Sequence, residues 1–367
     1  MGEKLSVAII GCGRVAGHHV RAIANHPNLR LAAITDLKPE RMETLGAAAD
    51  VPRFNNYHQM LQTHPEVRAV AVITPSGMHY EHALDVVQTY RRHVIIEKPV
   101  VMRITQGEAL ARAARAANVL VFPVHQYRFN RCVQRIRDAL RDRELGEIAL
   151  ATVRQRWCRT QQYYDRDPWR GTFALDGGCC TNQGIHHLDL LRYLAGEVRR
   201  VNSTMRTFNA NIEVEDTATA TLEFESGALG ALEITTAARP HDFESSLSIV
   251  GTKGTAMLGG WATDKLMVFS PTPQDEQTYS DSFADAYGFG HNDIYRGMYE
   301  AIVSGGPPAV AFEDAMKTVA LLHAVYVSAE RHAWVDVGDG LESERLGRTD
   351  DALAALYRTV APSQLST

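Results

Sequence analysis

An apolar run, Leu5 to Ile10, stops at Gly11-Cys12-Gly13-Arg14-Val15-Ala16, and this junction restricts the fold more than any other stretch of the chain. The run reads as a strand, and the small residues after it form the pattern G-x-G-x-x-A. Gly11 permits a tight turn, Gly13 lets backbone approach a pyrophosphate, and Ala16 lets the next helix pack on the strand. That helix would aim its N-terminus, with Arg14 and Val15, at the phosphates. Three small residues in a turn also serve purely structural ends, so the junction needs support from its surroundings.

The next hundred residues supply it. Short β-branched runs at Leu29 to Thr35, Ala69 to Ile73, Val94 to Ile96 and Val119 to Phe122 alternate with amphipathic helical patterns. This rhythm predicts a parallel sheet with helices on both faces. Asp36 ends the second strand, about 20 residues beyond the loop, where a carboxylate accepts bonds from ribose hydroxyls and repels a 2′-phosphate. NAD is therefore expected over NADP. Lys38 is the counterweight, since a cation there favours a phosphate, and a helix N-cap before Pro39 is the structural alternative for Asp36.

After Pro123 the pattern changes. A helix near 130–143 leads to a strand at 147–158, a Gly177-Gly178 turn opens a helix expected to run through Ala195, and 198–258 alternates apolar and polar residues as in an antiparallel sheet. Helices are expected at 291–304 and 312–332, divided by Gly305-Gly306-Pro307-Pro308. The expected fold class is α/β: a Rossmann dinucleotide-binding domain over 1–123, an α/β domain with a large, mostly antiparallel sheet over 124–340, and a helix with a loose tail over 341–367.

Composition narrows the function. Thirty-eight basic against 43 acidic residues leave a formal charge of -5 with no long run of one sign, which argues against a nucleic-acid partner. No apolar stretch is long enough for a membrane span or a signal segment, so a cytoplasmic location is expected. The five cysteines form neither a disulfide framework nor a C-x-x-C pair.

Two stretches suggest chemistry. Glu97-Lys98-Pro99 closes a strand at the sheet edge where ligands bind, so Lys98 is placed to stabilise an alkoxide, although a surface pair with Glu97 would explain it equally. In Asn182-Gln183-Gly184-Ile185-His186-His187-Leu188-Asp189, helical spacing puts Asn182, His186 and Asp189 on one face. His186 is the expected acceptor of a hydroxyl proton. His187 points elsewhere and is expected to be a buried core residue. Adjacent histidines diverge on a helix, and no H-E-x-x-H is present, so no metal is expected.

Together these motifs resemble the Gfo/Idh/MocA oxidoreductases from Leu5 to about Trp334, adding Thr74-Pro75-Ser76-Gly77-Met78-His79, Tyr127-Arg128-Phe129-Asn130 and Gly251-Thr252-Lys253-Gly254-Thr255. The resemblance implies an NAD site that includes Thr74, Ser76, His79, Glu97, Lys98, Gln126, Trp169 and Arg170, a cis bond before Pro99, and a homo-oligomer, dimer or tetramer. Many members carry Asp where this chain has Asn182. An amide is no base, which leaves proton abstraction to His186 and substrate hydrogen bonding to Asn182. The 156–171 stretch and the Val214, Thr236 and Gly288 segments are most similar to the UDP-N-acetylglucosaminuronate 3-dehydrogenase subgroup. That implies oxidation of a nucleotide sugar at C3 in surface-polysaccharide synthesis, with Arg156, Arg159, Tyr163, Arg239 and His291 as substrate contacts alongside Lys98, Asn182 and His186. Arg170 is a further candidate clamp for a diphosphate or carboxylate. The alternatives are a dehydrogenase of a free polyol such as inositol or glucose, an NAD-using glycosidase, and a non-catalytic sensor.

Overall fold

A computed structural model describes residues 4–45, 50–338 and 340–360 of the chain. Two compact units emerge, one from the described residues within Met1–Val124, His291–Ala315 and Thr349–Thr367, the other from His125–Gly290 and Met316–Arg348. The Pro362-Ser363-Gln364 tail lies outside the described residues.

The first unit alternates strand and helix: β1 (Leu5–Ile10), α1 (Ala16–Asn25), β2 (Leu29–Thr35), α2 (Pro39–Glu43), β3 (Arg53–Phe54), α3 (Tyr57–Thr63), β4 (Val67–Val72), α4 (His79–Tyr90), β5 (His93–Ile96), α5 (Ile104–Ala117) and β6 (Val121–Pro123). All six strands are parallel, in the order β3-β2-β1-β4-β5-β6. β1 and β4 are buried almost throughout, because helices cover both faces of such a sheet. The order reverses between β1 and β4, the switch point at which open α/β sheets take ligands. The two-residue β3 carries no sequence signal of its own and exists only by pairing with β2.

The second unit contains α6 (Arg131–Arg141), β7 (Ile148–Arg156), α7 (Gln161–Tyr164), α8 (Cys179–Asn182), α9 (Ile185–Ala195), β8 (Val198–Arg206), β9 (Thr217–Phe224), β10 (Leu229–Thr235), β11 (Glu244–Gly251), β12 (Thr255–Gly259) and β13 (Lys265–Phe269). Beyond these come α10 (Asp275–Thr278), α11 (Gly290–Ser304), α12 (Phe312–Arg331), β14 (Val335–Asp336) and α13 (Asp351–Ala355). The eight-stranded sheet runs β13-β12-β11-β7-β10-β9-β8-β14 and is antiparallel except where β7 meets β10. From Ala151 onward β7 alternates, with Ala151, Val153 and Gln155 buried and Arg154 and Arg156 on the opposite face.

One expected helix is two. The stretch from Gly178 to Ala195 breaks at Gln183–Gly184, where the Gly184 N–H reaches back five residues to the Cys179 carbonyl at 2.7 Å. A Cβ on Gly184 would lie 2.4 Å from Ile234 Cδ1 on β10, so close packing on the sheet fixes both the glycine and the break. Asn182 and His186 therefore sit on different helices, which corrects the expectation that they share one helical face with Asp189.

Candidate active site

In the first unit, Gly11 adopts φ +96° and has no room for a side chain, since a Cβ would stand 2.6 Å from the Ile73 carbonyl oxygen. Gly13 differs: a Cβ there would meet nothing within 4 Å. The protein does not need that glycine for its own packing, and the space beside it is what a pyrophosphate requires. α1 begins with no side-chain cap; its Ala16 and His18 N–H groups close turns onto the Gly13 and Val15 carbonyls at 3.1 and 2.9 Å, so the turn itself shapes the helix start. Asp36 is buried with both carboxylate oxygens anchored, Oδ2 to the Cys12 N–H at 2.7 Å and Oδ1 to the Lys38 N–H at 2.8 Å. It ties the glycine turn to the end of β2 and is not the cap of α2, whose cap position is Lys38. These features fit a dinucleotide.

The Thr74 loop leads into α4. Ser76 is buried, and the Thr74 hydroxyl lies 3.0 Å from His82 Nδ1. His79 departs from its expected role. Its ring is buried between the Pro99 carbonyl (2.7 Å) and the Thr74 carbonyl (2.9 Å), so it staples this loop to the Lys98-Pro99 segment instead of facing a ligand. The Lys98–Pro99 bond is cis, as expected. His291 is also placed otherwise than expected: it belongs to the first unit, is buried, and bonds Glu97 at 3.3 Å.

In the second unit the aromatic and arginine residues of 157–170 converge. The Arg170 guanidinium lies 4.5 Å from the ring centres of both Tyr163 and Trp169, and its Nη1 donates to the Tyr163 hydroxyl at 2.7 Å. Its Nε is buried without a hydrogen bond and lies 3.8 Å from Asp167 Oδ2, an ion pair across one turn. Arg159 stacks over Trp157 and Tyr163 while donating to Asp242 at 2.9 Å, and Arg239 holds the Arg159 carbonyl at 3.3 Å. Arg156 is corrected out of this group. It projects from the other face of β7 and pairs with Glu233 and with Glu244, the latter at 2.7 Å.

His186 stacks on Tyr127 with ring centres 4.4 Å apart. His187 is fully buried and bonds the Ser245 hydroxyl at 2.8 Å, and burial lowers its pKa to about 4. The Asn182 Nδ2 donates to Asp176, whose other oxygen takes the Gly171 N–H at 2.7 Å. A carboxylate only accepts, so Asp176 fixes which way the amide faces. Asp189, expected beside them, is instead buried structure: Arg128 grips it at 2.7 and 2.5 Å and Thr318 donates at 2.8 Å. Burial opposes its ionisation, but His125 and Arg128 hold the carboxyl well below its ordinary pKa. Gln126 is buried with its Oε1 unsatisfied, the state expected of an acceptor that serves a bound molecule.

Sequence reasoning passed over Asp176, Gln183 and His19. Gln183 donates to the Tyr163 hydroxyl at 3.2 Å, linking the helix break to the arginine cluster, and no pattern announces it. His19 did leave a signal, because with Ala16, Val20 and Ile23 it lies on the buried stripe of α1, where a histidine needs a partner.

A Rossmann sheet with an open glycine turn, joined to an α/β unit with a large sheet, defines an NAD-dependent oxidoreductase. The chain belongs to the Gfo/Idh/MocA family: residues 5–125 match the oxidoreductase family with an NAD-binding Rossmann fold, and residues 133–257 match the GFO/IDH/MocA C-terminal domain. Among solved structures it is similar to the WlbA dehydrogenase of Bordetella pertussis in complex with NADH and UDP-GlcNAcA, at 32% identity and TM-score 0.86, over 92% of this chain and 99% of that one. The WlbA dehydrogenase of Chromobacterium violaceum, in the same kind of complex, matches at 31% identity and TM-score 0.83 over 92% and 97%. The D-glucoside 3-dehydrogenase of Escherichia coli is 30% identical over 286 residues, 70% of this chain and 77% of that protein.

Proposed function

We propose that the chain oxidises the C3 hydroxyl of a UDP-linked N-acetylglucosaminuronic acid, as a step of surface-polysaccharide amino-sugar synthesis. The observation that carries this reading is the Arg170 guanidinium held between Tyr163 and Trp169, its buried Nε making no hydrogen bond and standing 3.8 Å from Asp167 Oδ2, beside Arg159 and Arg239. A planar cation fixed in this way is suited to a carboxylate or phosphate, groups that a free polyol lacks. Two similar structures hold UDP-GlcNAcA, which supports the same substrate class.

NAD, when bound, supplies the hydride acceptor. Gly11, Gly13, Asp36 and the start of α1 hold it, with Gln126 offering an acceptor oxygen. His186 takes the hydroxyl proton, with its ring plane fixed by Tyr127. Lys98 holds the developing alkoxide, and Asn182, oriented by Asp176, hydrogen-bonds the sugar. The protein is used as a homo-oligomer in this reading.

The similarity to a D-glucoside 3-dehydrogenase keeps one second reading, oxidation of an uncharged sugar. Purified protein with NAD is mixed with UDP-GlcNAcA, UDP-GlcNAc, D-glucosides and inositol, and nicotinamide absorbance and product mass are followed. NADH and a 3-keto product from UDP-GlcNAcA are expected. Turnover of the uncharged sugars alone would overturn the proposal, and cleavage without net NADH would point to a glycosidase.

A further inference from the structure

Glu97 follows β5 directly and carries a carboxylate that is shut away from water, a costly arrangement unless every lone pair is served. Three donors serve it. The Lys98 N–H reaches Oε2 at 3.1 Å, His19 Nε2 reaches Oε1 at 3.0 Å, and His291 Nε2 reaches the same Oε1 at 3.3 Å. The ring nitrogens show how. The Tyr295 hydroxyl lies 2.9 Å from His19 Nδ1, and the tautomer in which that hydroxyl donates to Nδ1 leaves Nε2–H to donate to Glu97. His291 Nδ1 is buried with no partner, which suits a bare lone pair and not an N–H. Burial also lowers the His291 pKa. His291 thus donates without contributing charge.

The carboxylate nevertheless stays ionised. Burial pushes its pKa up, and the bonds from His19 and His291 outweigh that and hold it well below the ordinary range. Arg21, the arginine whose field reaches His291, is exposed on α1, where water screens it. The result is a buried carboxylate charge at the ligand edge of the parallel sheet, held by three N–H donors.

We infer that Glu97 is a fixed anion that biases the bound cofactor toward its oxidised form. NAD carries a positive nicotinamide ring and NADH a neutral one, so a nearby permanent negative charge binds the first more tightly than the second. The inference rests on the NAD-dependent reading at the neighbouring Lys98. It makes Glu97 a positioning and tuning residue, not a proton carrier.

Dissociation constants of NAD and NADH are measured for the full-length wild type and for Glu97→Gln, by calorimetry and nicotinamide fluorescence, with no sugar present. In Glu97→Gln the ratio Kd(NAD)/Kd(NADH) is expected to rise about tenfold, the scale of one formal charge acting at an effective dielectric near 20. His291→Phe removes one donor and is expected to move the ratio in the same direction by a smaller factor. It decides the matter if Glu97→Gln does not fold. A ratio unchanged in the folded variants overturns the inference, since loss of mere scaffolding weakens both forms alike. The three side-chain atoms lie within 4.8 Å of one another, close enough to bridge a cation. Stoichiometric zinc in the purified protein, lost in His19→Gln, would cancel the charge and also overturn it. Because no sugar enters the measurement, an error in the proposed substrate would leave this result standing.

Discussion

In the first unit, Gly11, Asp36, Thr74 and Glu97 all stand one or two positions past the end of a strand, those strands being β1, β2, β4 and β5. The strands are parallel, so their ends lie along one edge, and residues far apart in sequence are gathered by topology alone. The second unit has no such edge. Its strands run mostly in opposite directions, and its candidate residues come from a loop after β7, from the short helices α7 and α8, from α9, and from the segment after β10. They are held by particular bonds: Asp176 to Asn182, Gln183 to Tyr163, Arg159 to Asp242. A parallel sheet positions its site by backbone geometry, whereas the antiparallel unit positions its site by side-chain networks. Substitutions should therefore fail differently in the two.

The largest expected effects test whether both units serve one reaction. Lys98→Ala and His186→Ala should each lower kcat/KM for the sugar by about 10³-fold while leaving the Kd of NAD within about a factor of two. The double variant should be little worse than either single one, because groups acting on one transition state are not additive. Steady-state kinetics with NAD titration checks this. A variant that kept full kcat/KM for the sugar would take its unit out of the reaction.

The next effect belongs to the network-built unit. Glu215 is buried beneath the Gly177-Gly178 turn, accepting from the Cys180 N–H at 3.1 Å and the Tyr326 hydroxyl at 2.8 Å. Desolvation outweighs those bonds and raises its pKa to about 7. The folded state thus holds this proton more tightly than the unfolded state does. The stability it confers is complete below the unfolded carboxyl value and is lost as pH rises toward 7, a change of about 3 kcal/mol across that window. Glu215→Gln should flatten this slope in denaturant titrations run at several pH values. An unchanged slope would mean that water reaches the carboxyl.

The same contrast explains what could be read from the chain alone. The strand-turn-helix at Gly11, the acid at Asp36 and the Lys98 segment are legible because each needs only local sequence and a fixed offset. The eight-stranded sheet is legible in outline from its alternation. The break at Gly184 is not, because it depends on Ile234, fifty residues away, packing against a bare Cα. Arg156 and Arg159 look alike in sequence, yet Arg156 ends β7 on the face that carries Glu233 and Glu244, whereas Arg159 lies beyond the strand. The family resemblance makes His79 and His291 ligand contacts, because it carries a position over without the packing around it. Burial, with two bonds on His79 and one from His291 to Glu97, shows them to be parts of the frame.

The smallest expected effects separate structure from cofactor within a single turn. Gly11→Ala forces a Cβ to within 2.6 Å of the Ile73 carbonyl at φ +96°, so it should lower unfolding free energy by about 2 kcal/mol whether or not NAD is present. Gly13→Ala meets no protein atom within 4 Å, so its melting temperature without cofactor should match the wild type. Its added methyl instead occupies the space the pyrophosphate needs, and NAD affinity should fall about tenfold. Thermal melts with and without NAD measure both. If Gly13→Ala kept full affinity, the phosphates would lie elsewhere along α1, and the uncapped helix start, not the open glycine, would be what holds them.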